Sequence, residues 1–121
     1  MLEMSGWRKL RKEEVDLIAV IVRDSPWAEQ VVQSLPRQLV KDMPDGGMGS
    51  LRFKAADGRD HRFGKEIGEV VFTDQDGIMA SATVNLDNND QLFELDIWKT
   101  DSSPLKRYPQ PDEIRRPPVG H

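Results

Sequence analysis

Residues 78–99 read Ile78-Met79-Ala80-Ser81-Ala82-Thr83-Val84-Asn85-Leu86-Asp87-Asn88-Asn89-Asp90-Gln91-Leu92-Phe93-Glu94-Leu95-Asp96-Ile97-Trp98-Lys99. Apolar side chains recur at every second position, first at Ile78, Ala80, Ala82, Val84 and Leu86, then at Phe93, Leu95 and Ile97. That period turns one side of each segment into a core and the other toward water, so both are expected as half-buried strands, 78–86 and 91–99. Between them, Asp87-Asn88-Asn89-Asp90 consists of residues that tolerate a left-handed backbone, and a tight antiparallel hairpin is the expected connection.

Working outward, three more short segments punctuated by glycine are expected as strands: 38–42, 50–55 and 69–73. Asp74-Gln75-Asp76-Gly77 and Ala56-Asp57-Gly58 read as turns. No helix-length stretch separates consecutive strands, so parallel crossovers are excluded and an antiparallel meander of about five strands is predicted. Before the sheet, Leu17, Ile18, Ile21 and Val22 fall at helical spacing within 12–24, behind Glu13, Glu14 and Asp16, whose charge suits a helix N-terminus. Ser25-Pro26 then reads as an N-cap with proline at the first helical position, and Trp27, Val31 and Leu35 share one face of a second helix that Pro36 ends. The fold class is therefore α+β, two N-terminal helices packed on one face of an antiparallel sheet. Residues 1–108 form the single domain, and 109–121, rich in proline, are expected as a flexible tail.

Composition limits function. A chain of 121 residues can bury one core but not two. Without cysteine there is no thiol nucleophile, disulfide or thiolate zinc site. Two histidines, His61 and His121, leave little from which to build a catalytic triad or a His-rich metal centre. The longest apolar run, 17–22, stops at Arg23 and is far too short to cross a membrane; the N-terminus lacks the apolar stretch of a secretory signal, so a cytoplasmic protein is expected. A net charge of −4 argues against nucleic acid as a partner. Asp74, Asp76, Asp87, Asp90, Glu94, Asp96 and Asp101 stand against Lys99 alone, so the expected partner is a basic protein, bound by a monomer or weak homodimer.

Several constellations carry chemistry. In Asp45-Gly46-Gly47-Met48-Gly49-Ser50 the glycines permit positive φ and could expose N–H groups to an anion, but the lysine of a phosphate-binding loop is missing and Arg52 stands where a dinucleotide fingerprint needs glycine. A sharp loop that aims a strand is the plainer account. Asp74-x-Asp76-Gly77 echoes part of a calcium loop, yet Phe72 and Thr83 occupy the positions where carboxylates are required. Alternation sets Glu94 and Asp96 beside Leu92 and Trp98, opposite Phe93, Leu95 and Ile97, where the acids could hold a basic side chain or a metal, or divide acid and base roles. A solvated polar side, neutralised by Lys99, Arg52 or Lys54, is the plainer alternative. His61 reads as a surface residue, and Trp7, Trp27 and Tyr108 as packing residues.

The stretch Asp42-Met43-Pro44-Asp45-Gly46-Gly47-Met48-Gly49-Ser50-Leu51, with Phe93-Glu94-Leu95-Asp96-Ile97-Trp98-Lys99-Thr100-Asp101, resembles a family of small bacterial proteins known as a domain of unknown function. The resemblance runs from about Trp7 to Tyr108 and implies a bacterial cytosolic single domain, with no activity or cofactor attached. One departure is Ser102, where the pattern calls for an aromatic residue.

The expected function is a non-enzymatic binding protein whose surface comprises Asp45, Gly46, Gly47, Glu94, Asp96, Trp98 and Lys99, with no catalytic residue, metal or cofactor. One alternative is an immunity-type protein that neutralises a basic toxin, and another a metal-assisted hydrolase built on Asp42, Asp45, Glu94 and Asp96.

Overall fold

In the computed structural model, which describes residues 6–56, 58 and 61–117, the period-two segments form strands and the helically spaced ones form helices. In chain order these are β1 (Arg8–Lys9), α1 (Lys12–Val22), α2 (Ala28–Ser34), β2 (Leu39–Asp42), β3 (Leu51–Phe53), β4 (Phe63–Thr73), β5 (Met79–Asp87) and β6 (Leu92–Lys99). The N-terminus of α1 is closed by Glu14, a buried carboxylate that accepts the Arg11 N–H at 2.8 Å and two bonds from the Arg8 guanidinium at 3.0 and 2.8 Å. That ion pair ties the helix to β1, a strand too short for the sequence pattern to reveal. Pro36 does not stop a helix abruptly; it sits inside a single 3₁₀ turn, Leu35–Arg37, that finishes α2.

All pairings are antiparallel, and the sheet runs β1-β2-β3-β6-β5-β4. Only β4, β5 and β6 make the expected meander. From β3 the chain passes to the far edge and returns, so that β6 lies against β3 in a Greek-key arrangement. Pairing β3 with β6 sets Leu51 opposite Leu95 and Arg52 opposite Glu94, an apolar and an opposite-charge cross-strand pair. The Ser50 hydroxyl extends the contact by donating to the Ile97 carbonyl at 3.2 Å and accepting its N–H at 2.8 Å. The strand expected at 69–73 begins six residues earlier, at Phe63, where two glycines and the charged Lys65 and Glu66 hide it from a hydrophobic pattern.

Both helices pack on one face. Leu17, Ile18, Ile21 and Val22 of α1 and Val31 of α2 meet Val40, Phe53, Val70, Phe72, Val84, Leu95 and Ile97 of the sheet in a single core. Gly68 marks a close approach of α1 to the sheet: a Cβ there would run into the carbonyl oxygen of Ile21, so only glycine lets the end of α1 rest on β4.

Just before the segment expected as a flexible tail, Asp74 accepts the N–H groups of Lys106 at 2.7 Å and Arg107 at 3.3 Å. Within 109–117, Pro109 is buried and Arg115 exchanges two backbone bonds with Val71 on the β4 edge at 2.7 and 2.9 Å. Arg116 donates to the Val20 and Ile21 carbonyls at 2.8 and 3.1 Å, satisfying two end-of-helix acceptors of α1. Proline removes donors from this segment, but buried side chains and helix carbonyls supply other anchors. Residues 118–121, with His121, lie outside the described residues. Among the described residues no helix is long and apolar enough to cross a membrane.

Candidate functional site

The sheet face turned away from the helices carries a row of directly opposed residues across five strands: Lys41, Arg52, Glu94, Asn85 and Glu66. Next to it lies a second row, Glu69, Thr83 and Asp96, and then Ser81 opposite Trp98. Charge changes sign along the first row between Arg52 and Glu94. The face is thus basic at its β2–β3 end and acidic over β4–β6.

At the seam, Arg52 Nε donates to Glu94 Oε2 at 2.7 Å, its Nη2 pairs with the same oxygen, and its guanidinium lies 4.7 Å over the Phe93 ring. Asn85 Nδ2 donates to Asp96 Oδ2 at 2.8 Å. Burial and the neighbouring Glu94 carboxylate push the Asp96 carboxyl up to about 6, against the opposing pull of the Asn85 amide and Arg52. Burial and the nearby Glu69 also raise Glu66. Glu94 and Asp96 therefore do share the open face, as alternation required, but Glu94 is neutralised by Arg52.

In the β5–β6 pair, alternation fails at one point. Asn85 faces Glu94 while Leu86 faces Leu92, so β6 carries one extra residue, Phe93, in a bulge. Leu92 consequently enters the core, whereas Phe93 leaves the row of Leu95 and Ile97 and stacks edge-on with His61 at 4.8 Å between centroids. His61 is no free surface residue. Its Nδ1 lies 2.7 Å from Asp87 Oδ2 and its Nε2 3.1 Å from the Phe53 carbonyl. Burial works against charge on Asp87, but N–H groups of Gln91 and Asn89, together with His61, hold its carboxyl below the usual range. With both ring nitrogens engaged, His61 fastens the chain before β4 and offers no open base. Nothing in the residue pattern pairs His61 with Asp87, which is 26 positions away.

The other expected site residues lie elsewhere. The Asp45 carboxylate is used up by its own loop, accepting the N–H groups of Met48 and Ser50, each at 3.0 Å. Gly47 accepts the Leu105 N–H at 3.0 Å, and Gly49 accepts the Tyr108 hydroxyl at 2.7 Å, with a φ of +100° and Leu105, Ile97 and Tyr108 closed around it. Gly46, at a φ of +78°, is exposed at the tip. The loop thus belongs with residues 104–108 on the Ile97 side of the sheet, and it makes no hydrogen bond or ion pair to Glu94, Asp96 or Trp98 among the described residues. Trp98 is 53% exposed and stays on the open face.

Lys99 has to be corrected outright: it is wholly buried, and its ammonium donates to Asp74 at 2.9 Å, Asp76 at 2.6 Å and the Pro104 carbonyl at 3.0 Å. The calcium-like Asp74-x-Asp76 pair therefore holds an ammonium. Counting from Trp98, strict alternation turns Lys99 inward, a consequence that its charge obscures. Asp42 is paired with Arg8 at 2.9 Å, so Asp42, Asp45, Glu94 and Asp96 do not converge, and no group of three His, Asp or Glu side chains among the described residues could hold a metal ion.

Residues 7–109 match the family model described as a domain of unknown function, DUF6984. The chain belongs to that family. The DUF6984 span starts at Trp7 and ends at Pro109, so it takes in every strand, both helices and all the residues of the open face. No curated protein and no solved structure matches the chain.

Proposed function

We propose that this DUF6984 protein is a non-enzymatic binding protein that docks a basic segment of a partner protein on the β4–β6 half of its open face. One observation carries the reading: Glu66, Glu69, Glu94 and Asp96 gather there, and among the described residues the cation that reaches them is Arg52, through Glu94. Asp96 and Glu66, each raised by burial and a neighbouring carboxylate, gain from an incoming ammonium or guanidinium, which replaces lost water and relieves the repulsion. Trp98, on the same face as Asp96, adds an amphipathic surface for the aliphatic stem of a lysine or arginine. An immunity-type protein that neutralises a basic toxin is one form of this activity. A bacterial cytoplasmic setting and a monomer or weak homodimer belong to the same proposal. The metal-assisted hydrolase draws no support, because Asp42 and Asp45 are engaged away from Glu94 and Asp96.

Titration calorimetry with a short Lys/Arg-rich peptide and an acidic control of equal length tests it. The basic peptide should bind with a stoichiometric heat and lose at least tenfold in affinity in E69Q/D96N, with amide shifts gathered on β4–β6. Equal binding of the acidic peptide, or indifference to E69Q/D96N, would overturn the reading. A stoichiometric heat with magnesium, manganese or calcium alone would instead favour the hydrolase.

A further inference from the structure

The opposite end of the open face poses its own electrostatic problem. Lys41 and Arg52 stand directly across from each other on β2 and β3, and Lys54 continues the Arg52 side, its N–H bonded to the Leu39 carbonyl at 2.9 Å. Like charges in register across a sheet repel. Arg52 has Glu94 on its far side, but among the described residues no carboxylate pairs with Lys41 or Lys54. Instead both ammoniums lie over the Trp7 ring, Lys41 at 4.6 Å and Lys54 at 6.0 Å from its centroid. Asp42, the next residue on β2, is turned to Arg8.

These side chains line an open groove of about 680 Å³, whose wall also includes Phe53, His61 and one acid, Asp42, which is already paired with Arg8. Both Arg52 and His61 are held in fixed orientation, the first by Glu94 and Phe93, the second by Asp87 and the Phe53 carbonyl. A volume of that size falls in the roughly 300–1,000 Å³ range of small-molecule sites. It is also a local excess: the whole chain carries a net charge of −4.

We propose that this groove binds a small phosphorylated molecule, its phosphoryl group seated between the Lys41 and Lys54 ammoniums at the edge of the Arg52 guanidinium. A compact dianion neutralises two mobile point charges at once and accepts N–H bonds from a guanidinium already oriented by Glu94. The site uses β2 and β3, not the acidic half of the face, and stands independently of the docking of a basic segment.

Pyrophosphate titrated into the full chain at constant ionic strength, followed by backbone amide NMR, tests the proposal. Saturable shifts are expected at Lys41, Asp42, Arg52, Phe53 and Lys54, with affinity reduced at least tenfold in K41Q/K54Q at an unchanged unfolding midpoint. Shifts that rise linearly without saturation, or that survive in K41Q/K54Q, would overturn it. Should the double variant alter the midpoint, K54Q alone decides, parental affinity counting against the site. A phosphoserine peptide that binds more tightly than pyrophosphate would assign the groove to a protein partner and overturn the small-molecule assignment. E69Q/D96N should bind pyrophosphate no more weakly than the parent, and a loss there would show that the response is not confined to the groove.

Discussion

The Lys99 ammonium lies 2.9 Å from the Asp74 carboxylate, and neither side chain is reached by solvent. Burial alone would favour a neutral lysine, but Asp76 and Asp74 overcome it and hold the group above its usual range. With the Pro104 carbonyl completing its partners, the ammonium joins the β4–β5 turn, the end of β6 and the returning chain at one point. The β4–β5 turn is thereby fixed to chain that follows it 23 to 25 residues later.

Replacing Lys99 with Met should leave two acids facing each other without a cation, the costly way to break a buried pair. K99M is expected to lower the melting temperature by on the order of 10 °C. Amide exchange at Lys106 and Arg107, whose N–H groups bond to Asp74, should speed up in the same variant. Unchanged exchange at these two amides would mean that the returning chain is anchored elsewhere.

Stability should peak in mildly acidic solution. Asp96 is raised to about 6 in the folded protein, above the value of about 3.9 for an unfolded chain, so between those values folding takes up a proton. From this group, stability grows as pH falls through the window and is lost as pH rises through it. Asp74 and Asp87, held below the usual range, act in the opposite sense: their contribution is present above about pH 4 and lost as pH falls below it. Asp96→Asn keeps an acceptor for Asn85 and removes the charge, so D96N should melt a few degrees higher than the parent at pH 7 and close to it near pH 4, the partial exposure of the residue limiting the gain. A melting temperature for D96N below the parent's at pH 7 would contradict this account.

At Gly68 the test is steric. A methyl group there meets the Ile21 carbonyl, which belongs to the helix backbone and cannot swing aside. Gly68→Ala should cost about 3 kcal/mol or more in urea denaturation, more than any loss at Gly46, through displacement of α1 from β4. Gly46→Ala, with open space around the new Cβ, should cost only the strain of its left-handed backbone, about 1–2 kcal/mol. Equal or reversed losses would show that the helix end is free to shift.

The residue pattern reveals the helices, the β5–β6 hairpin and the shared face of Glu94 and Asp96 because each depends on local period. Ile78 to Leu86 alternates without interruption, and Asp90 adopts the expected left-handed backbone, with a φ of 62°. Strand order was not legible, since pairing β3 with β6 depends on contacts between Ser50 and Ile97 and between Arg52 and Glu94 that no local period encodes. A bulge shifts the alternation by one residue at Phe93, which is why an aromatic expected in the core came to support Arg52 and His61. Lys99 misled for a different reason. Its inward position follows from alternation, but charge suggests a surface, and its two acidic partners lie on a turn more than 20 residues earlier.

His61 provides the last test, because both of its ring nitrogens face acceptors and a neutral imidazole can donate from only one. If the Asp87 contact fastens the chain entering β4, His61→Phe and Asp87→Asn should each cost about 1–3 kcal/mol, the range for leaving a buried polar partner unmatched. Phe can retain the edge-on contact with Phe93, so the loss in H61F reports mainly on the ring-nitrogen contacts with Asp87 and the Phe53 carbonyl. In a double-mutant cycle the pair should couple by about 0.5–3 kcal/mol, measured from urea midpoints at unchanged slope. A coupling near zero would mean that Asp87 acts only through the N–H groups of Asn89 and Gln91 in the β5–β6 turn, with His61 a passenger beside it.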